Sequence, residues 1–156
     1  MRIGIDFHGV ITEAPVFFRD FTALAIAKGH EIFIISGGPH LVEEKFLKAW
    51  RIQYTEIFSL LDYFVSRGQV EYFDNGNFKV PDELWNKAKA QYCHEHNIDI
   101  QIDDTAYYGD NFSTPFCLYD PHTLSCSILR QNISFNESPA ATLAEIEKVI
   151  SKVKRK

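Results

Sequence analysis

The segment 31–36, "EIFIIS", is a continuous apolar run of strand length. A strand with one wet face alternates apolar and polar residues. A continuous run instead indicates a strand covered on both faces, the setting of parallel sheets. This run is one member of an alternating series. Residues 2–6, "RIGID", read as a short strand before it. Between the two, residues 15–29 read as a helix with Phe17, Phe21, Leu24 and Lys28 on one face and Gly29 able to end it. After it, Gly37-Gly38-Pro39 opens a second helix over about 39–50, with Val42, Phe46 and Trp50 as its apolar stripe and Glu43 and Glu44 near its positive end.

The series continues with a strand over 54–60, a helical turn or loop over 61–68, and a hairpin over 70–80 with Asn75-Gly76 as a primed turn. Pro81-Asp82 starts a helix over about 82–96, capped by Asp82, with Trp85, Ala88 and Tyr92 on one face. Strands follow at 98–103, 114–120 and 126–131. Ser138 caps a last helix whose core face is Leu143, Ile146, Val149, Ile150 and Val153. Alternating strands and helices predict an α/β fold with a parallel sheet, and right-handed crossovers place helices on both faces. The 156 residues suit a single domain, with the hairpin at 69–81 as its one small insertion.

The formal net charge of −5 lacks the basic footprint of a nucleic-acid binder. The one basic cluster, Lys152, Lys154, Arg155 and Lys156, reads as a solvated helix end. Cys93, Cys117 and Cys126 are odd in number and form no CxxC pair, so neither a disulfide framework nor a zinc site is expected. That usage fits a reduced, cytoplasmic setting. Asp6 and His8 interrupt the first apolar run, so a signal peptide is not expected there, and no stretch has the length of a membrane span.

In sheets of this kind, ligands bind beyond the carboxyl ends of the strands, near the point where strand order reverses. The expected strand ends carry Asp6, Ser36, Asp103 and Asp104. Lys87 lies near the start of the helix leading to the last of these, with Lys89 as the second candidate. Taken singly, the acids and the serine could be turn or cap residues, and a helical lysine is usually solvated. Together they could hold a divalent cation and a phosphate. Carboxylates suit Mg²⁺, which prefers oxygen ligands. Ser36 and nearby backbone N–H groups, Gly37 among them, can bond phosphate oxygens, and Lys87 can offset their charge.

In these residues the chain resembles the haloacid dehalogenase-like hydrolases, most of which are Mg²⁺-dependent phosphatases. Residues 6–12, "DFHGVIT", are similar to their first motif, whose leading Asp is the nucleophile that becomes phosphorylated. Ser36 after "IFII" is similar to the second, Lys87 to the third, and "IDD" at 102–104 to the fourth. The resemblance spans nearly the whole chain. It implies a three-layer, doubly wound parallel sheet with core strand order 5-4-1-2-3. It also implies a Mg²⁺ site formed by Asp6, the His8 backbone carbonyl, Asp103 and Asp104, and an aspartyl-phosphate formed on Asp6 from a phosphate monoester. The intervals between motifs leave no room for a cap domain. The site is therefore expected to be open, to take a small or larger phosphate ester, or to be closed by a second copy in a homo-oligomer.

His8 departs from the pattern. The family's phosphatases carry there a second Asp that acts as general acid and base. Imidazole can exchange protons near neutral pH, and only the side chain has changed. Two expectations follow: His8 is catalytic beside Asp6, or the chain is a catalytically impaired binding or regulatory module.

Overall fold

The computed structural model describes residues 1–154. Arg155 and Lys156 of the basic tail lie outside the described residues; Lys154 pairs with Asp99 at 2.7 Å. The chain builds a seven-stranded sheet from β1 (Arg2–Ile5), β2 (Glu31–Ser36), β3 (Glu56–Ser59), β6 (Ile100–Asp103), β7 (Phe116–Asp120), β8 (Ser125–Ile128) and β9 (Gln131–Ser134). Their order is β3-β2-β1-β6-β7-β8-β9. The first five in that row are parallel, and β8 and β9 add antiparallel neighbours at one edge. A separate small hairpin is made by β4 (Glu71–Tyr72) and β5 (Phe78–Lys79).

Helices cover both faces. On one side α1 (Pro15–Ala27), α2 (His40–Ala49) and α5 (Pro139–Val153) contribute Phe18, Phe21, Leu47, Leu143 and Ile146 to a core with Ile3, Ile5, Ile32, Ile34, Ile100 and Ile102. On the other, α4 (Asp82–Glu95) packs Tyr92 and Cys93 on Phe33 and Ile35. The short α3 (Leu60–Ser66) packs Leu60 and Phe64 with Ala88 and Val80. The continuous run at 31–36 is buried from Ile32 through Ser36, as a strand covered on both faces must be. Among the described residues no helix is long and apolar enough to cross a membrane.

Several local expectations need correction. The α2 stripe is rotated: Val42 and Phe46 are exposed, while Glu43 and Leu47 are buried. Phe46 and Trp50 instead pack beside the Phe7 ring. In α1 the buried set is Phe18, Phe21, Thr22 and Ala25, so Phe17 and Leu24 sit at its margin. Asp82 makes no side-chain cap; Pro81 holds that position. The 126–131 segment is not one strand, because Leu129 and Arg130 both take positive φ and fold it into the β8–β9 hairpin. Two residues at positive φ make a primed turn, and neither Leu nor Arg announces one. The β4–β5 turn, by contrast, is not primed. Gly76 N–H donates to the Phe73 carbonyl and only Gly76 has positive φ, which is the turn-plus-bulge geometry. Finally, the sulfurs of Cys117 on β7 and Cys126 on β8 lie within bonding reach, with Cα atoms 5.6 Å apart, inside the range disulfides span. The missing CxxC signal has no bearing on a pair brought together by strand pairing.

Candidate active site

The register of the central strands assembles the site. Ile5 of β1 stands opposite Ile34 of β2 and Ile102 of β6. The next residue on each flank of the switch point is therefore Asp6 beside Asp103, and Ser36 ends β2 one residue beyond. Asp6 N–H donates to the Ile102 carbonyl at 2.9 Å, extending this pairing into the site. Gly4 keeps the junction open. A Cβ there would run into the side chain of Gln101, a fully buried residue whose Nε2 lies 3.4 Å from Asp103 Oδ2.

The expected lysine is Lys89, not Lys87. Lys89 is 3% exposed and donates to Asp103 Oδ2 at 2.6 Å, with Asp6 Oδ1 at 3.1 Å. Lys87 lies on the wet side of α4, paired with Glu83 at 2.8 Å. Two residues along a helix are about 200° apart, so the two lysines must face opposite ways. Lys89 falls four residues after Trp85 and three before Tyr92, on the face those residues share.

After Asp6 the chain turns sharply. Thr12 N–H donates to the Phe7 carbonyl at 3.0 Å, and Gly9 N–H to Thr12 Oγ1 at 3.0 Å. Gly9 has φ +74°, and a Cβ there would strike the Asp104 carboxylate. That glycine thus makes the cradle in which Asp104 sits. Asp6, Asp103 and Asp104 can each place a carboxylate oxygen within 4.8 Å of the others. Asp6 Oδ1 is used by Phe7 N–H and Lys89, while no hydrogen bond among the described residues ends on Oδ2. Three converging oxygens, an uncommitted carboxylate oxygen and a glycine-cut cradle fit a small oxygen-seeking cation. Asp6, His8, Gly9, Gly37, Lys89, Asp104, Thr105 and Tyr108 line a cavity of about 250 Å³ over this cluster.

Burial pushes Asp6 up to about 7, with Asp103 adding to the rise and Lys89 opposing it. Burial works against the Lys89 ammonium, but Asp6 and Asp103 outweigh it and hold its pKa above the ordinary value. The lysine is therefore a fixed positive charge. His8, whose side chain is largely exposed at the mouth, is pushed down by partial burial and then by Lys89.

Sequence reasoning missed Glu43. Read only as an acid near the positive end of its helix, it is fully buried and points back over the start of α2. Ser36 Oγ donates to Glu43 Oε1 at 2.6 Å, and His8 Nε2 lies 3.5 Å from the same oxygen. Burial raises the Glu43 pKa against hydrogen bonds from Ser36 and the Gly38 backbone. Also unforeseen is an aromatic wall: Tyr108 places its ring 5.1 Å from Lys89 Nζ and accepts from Trp85 Nε1 at 3.0 Å. Of the expected residues, Asp6, His8, Gly37 and Asp104 reach the cavity, Ser36 and Asp103 lie buried behind it, and Lys87 is outside.

Neither family models nor curated proteins match the chain.

Proposed function

We propose that the chain is a Mg²⁺-dependent phosphohydrolase of the haloacid dehalogenase-like type, with Asp6 as nucleophile. The observation that carries this reading is the buried Asp6–Lys89–Asp103 cluster with Asp104 beside it, at the carboxyl ends of adjacent parallel strands. Counting β1, β2, β3, β6 and β7 as the five core strands, the observed row supports the order 5-4-1-2-3.

Asp6, Asp104 and Asp103, with the His8 carbonyl, are the groups that would hold Mg²⁺. When bound, the cation offsets charge on the phosphoryl oxygens and orients them. Lys89 already supplies one fixed positive charge behind Asp6. It keeps the two carboxylates together and steadies the nucleophile's position. An Asp6 carboxylate oxygen attacks phosphorus, and the bond to the leaving oxygen breaks. The leaving oxygen takes a proton from His8 and departs as an alcohol. Water then opens the aspartyl-phosphate, gives a proton to His8, and releases inorganic phosphate with Asp6 restored. The lowered pKa of His8 makes the protonated ring the readier donor in the first exchange, with the leaving oxygen.

One observation favours a second reading, a binding module with little turnover. The Ser36 hydroxyl is committed to Glu43 and would have to exchange that bond to donate to phosphate. Hydrolysis of an aryl phosphate and of a nucleotide and sugar-phosphate panel, with and without Mg²⁺, separates the two. The hydrolase reading expects Mg²⁺-dependent turnover that Asp6→Asn abolishes. Turnover unchanged in Asp6→Asn, or none on any ester, overturns it.

A further inference from the structure

Glu43 is the buried carboxylate that the scheme above leaves without a task. Its Oε1 accepts from Ser36, and its Oε2 is sealed from solvent with no hydrogen-bond partner among the described residues. Among the described residues its one ion-pair contact is His8, at 3.5 Å. A carboxylate in such a place costs stability, because desolvation is offset by few partners. Its position near the start of α2 explains an acid at the surface, as with the neighbouring Glu44, but does not explain burial. Four residues on, the same face of α2 carries the buried Leu47, so a leucine at 43 would extend the apolar face.

The backbone opposite is cut to admit the group. Gly38 has no Cβ where one would run into Glu43 Oε1 and lie 2.9 Å from His8 Nε2. The carboxylate, the imidazole and the Ser36 hydroxyl thus meet over one glycine.

We propose that Glu43 is a positioning residue, a single acceptor that fixes the Ser36 hydroxyl and orients the His8 ring, so that the two act as one unit. This role replaces part of what the family's second Asp does alone, since a longer imidazole needs an external support to point at the reacting oxygen. The inference rests on the hydrolase reading, but its central claim is a contact and can be tested apart from turnover.

The test compares Glu43→Leu and Glu43→Gln with the unmodified protein. The His8 ring nitrogens, labelled with ¹⁵N and assigned with His8→Gln, are expected to shift in Glu43→Leu and less in Glu43→Gln, which keeps an acceptor oxygen. Unchanged ring resonances in both variants overturn the inference, whether or not the protein turns over. The melting temperature of the Ser36→Ala, Glu43→Leu double variant, which leaves no buried hydroxyl without an acceptor, is expected to hold or rise; a marked fall there would make Glu43 a structural support and overturn it. In the hydrolase assay, kcat is expected to drop about ten- to a hundredfold in Glu43→Leu with KM nearly unchanged, and to recover in part in Glu43→Gln. In a His8→Ala background, Glu43→Leu is expected to cost less than it does in the unmodified protein, leaving only the part carried by the Ser36 hydroxyl. Independent, multiplicative losses overturn the inference and leave the hydrolase reading standing. If the unmodified protein shows no turnover, that reading falls, and the ring resonances and melting temperature still decide the contact.

Discussion

Lys89 Nζ donates to Asp103 Oδ2 at 2.6 Å, and both side chains are sealed inside the protein. Breaking a buried pair leaves an uncompensated charge, here two carboxylates with no cation between them. Lys89→Met is therefore expected to lose about 3–5 kcal/mol of stability, read from urea unfolding. Lys87→Met, at an exposed pair with Glu83, is expected to leave the urea midpoint unchanged. Equal effects from the two lysines would contradict the buried cluster.

The same cluster sets a pH dependence. The folded protein holds Asp6 near 7, against an ordinary value of 3.8. Between those values the folded state keeps a proton that the unfolded state has released. By linkage, this group's contribution to stability falls as pH rises through that window. A divalent cation needs the carboxylate and displaces that proton, so the cation removes the penalty where it is greatest. The melting temperature is expected to rise with Mg²⁺ at pH 8, by comparison with EDTA, and the increment is expected to shrink toward pH 5. Asp104→Asn should abolish the increment. An increment that grows on acidification would contradict the assigned ligands.

The class of fold was legible because burial on both faces writes continuous apolar runs such as 31–36, and Ser36 was legible because it ends that run; Asp6 and Asp103 were legible as acids at the ends of the strands at 2–6 and 98–103, the second of which alternates Ile98, Ile100 and Ile102 with polar residues. Lys89 was within reach of the same logic: a lysine inside the Trp85–Ala88–Tyr92 stripe has to be buried, and a buried lysine has to be paired. Motif position alone favoured Lys87 and hid this. Glu43 was harder. An acid in the first turn of a helix is favoured by the dipole wherever it points, so its identity says nothing about its direction. That direction depends on Gly38 and on the position of His8, both set by tertiary packing. The β8–β9 turn was illegible for a different reason. Leu129 and Arg130 hold positive φ without the glycine or asparagine that would mark it, so pairing of the flanking strands overrides local preference.

Restoring the family's usual residue with His8→Asp is expected to impair the protein. The new carboxylate would lie close to the buried Glu43 carboxylate, where no lysine or arginine makes an ion pair among the described residues. Like charges at that distance repel, and a shorter side chain gains no support from Glu43. A lower kcat and a lower melting temperature are expected for His8→Asp. Adding Glu43→Gln should recover both, because it removes the repelling charge. Steady-state kinetics and thermal unfolding of the single and double variants check this; a large gain in kcat for His8→Asp alone would contradict it.

The three cysteines separate by chemistry as well as position. Burial pushes the Cys93 thiol up to about 12, with Asp103 adding to the rise against Lys89. Only thiolate attacks a disulfide reagent, and at pH 8 a thiol with that pKa is almost wholly protonated as well as shielded. Native protein is therefore expected to react negligibly with an aromatic disulfide reagent at pH 8. Unfolding in guanidinium without reductant should expose one reactive thiol per chain, Cys93, because Cys117 and Cys126 are joined across β7 and β8. Reduction before unfolding should raise the count to three. Three thiols from unreduced protein would show that strand pairing brings these sulfurs together without oxidising them.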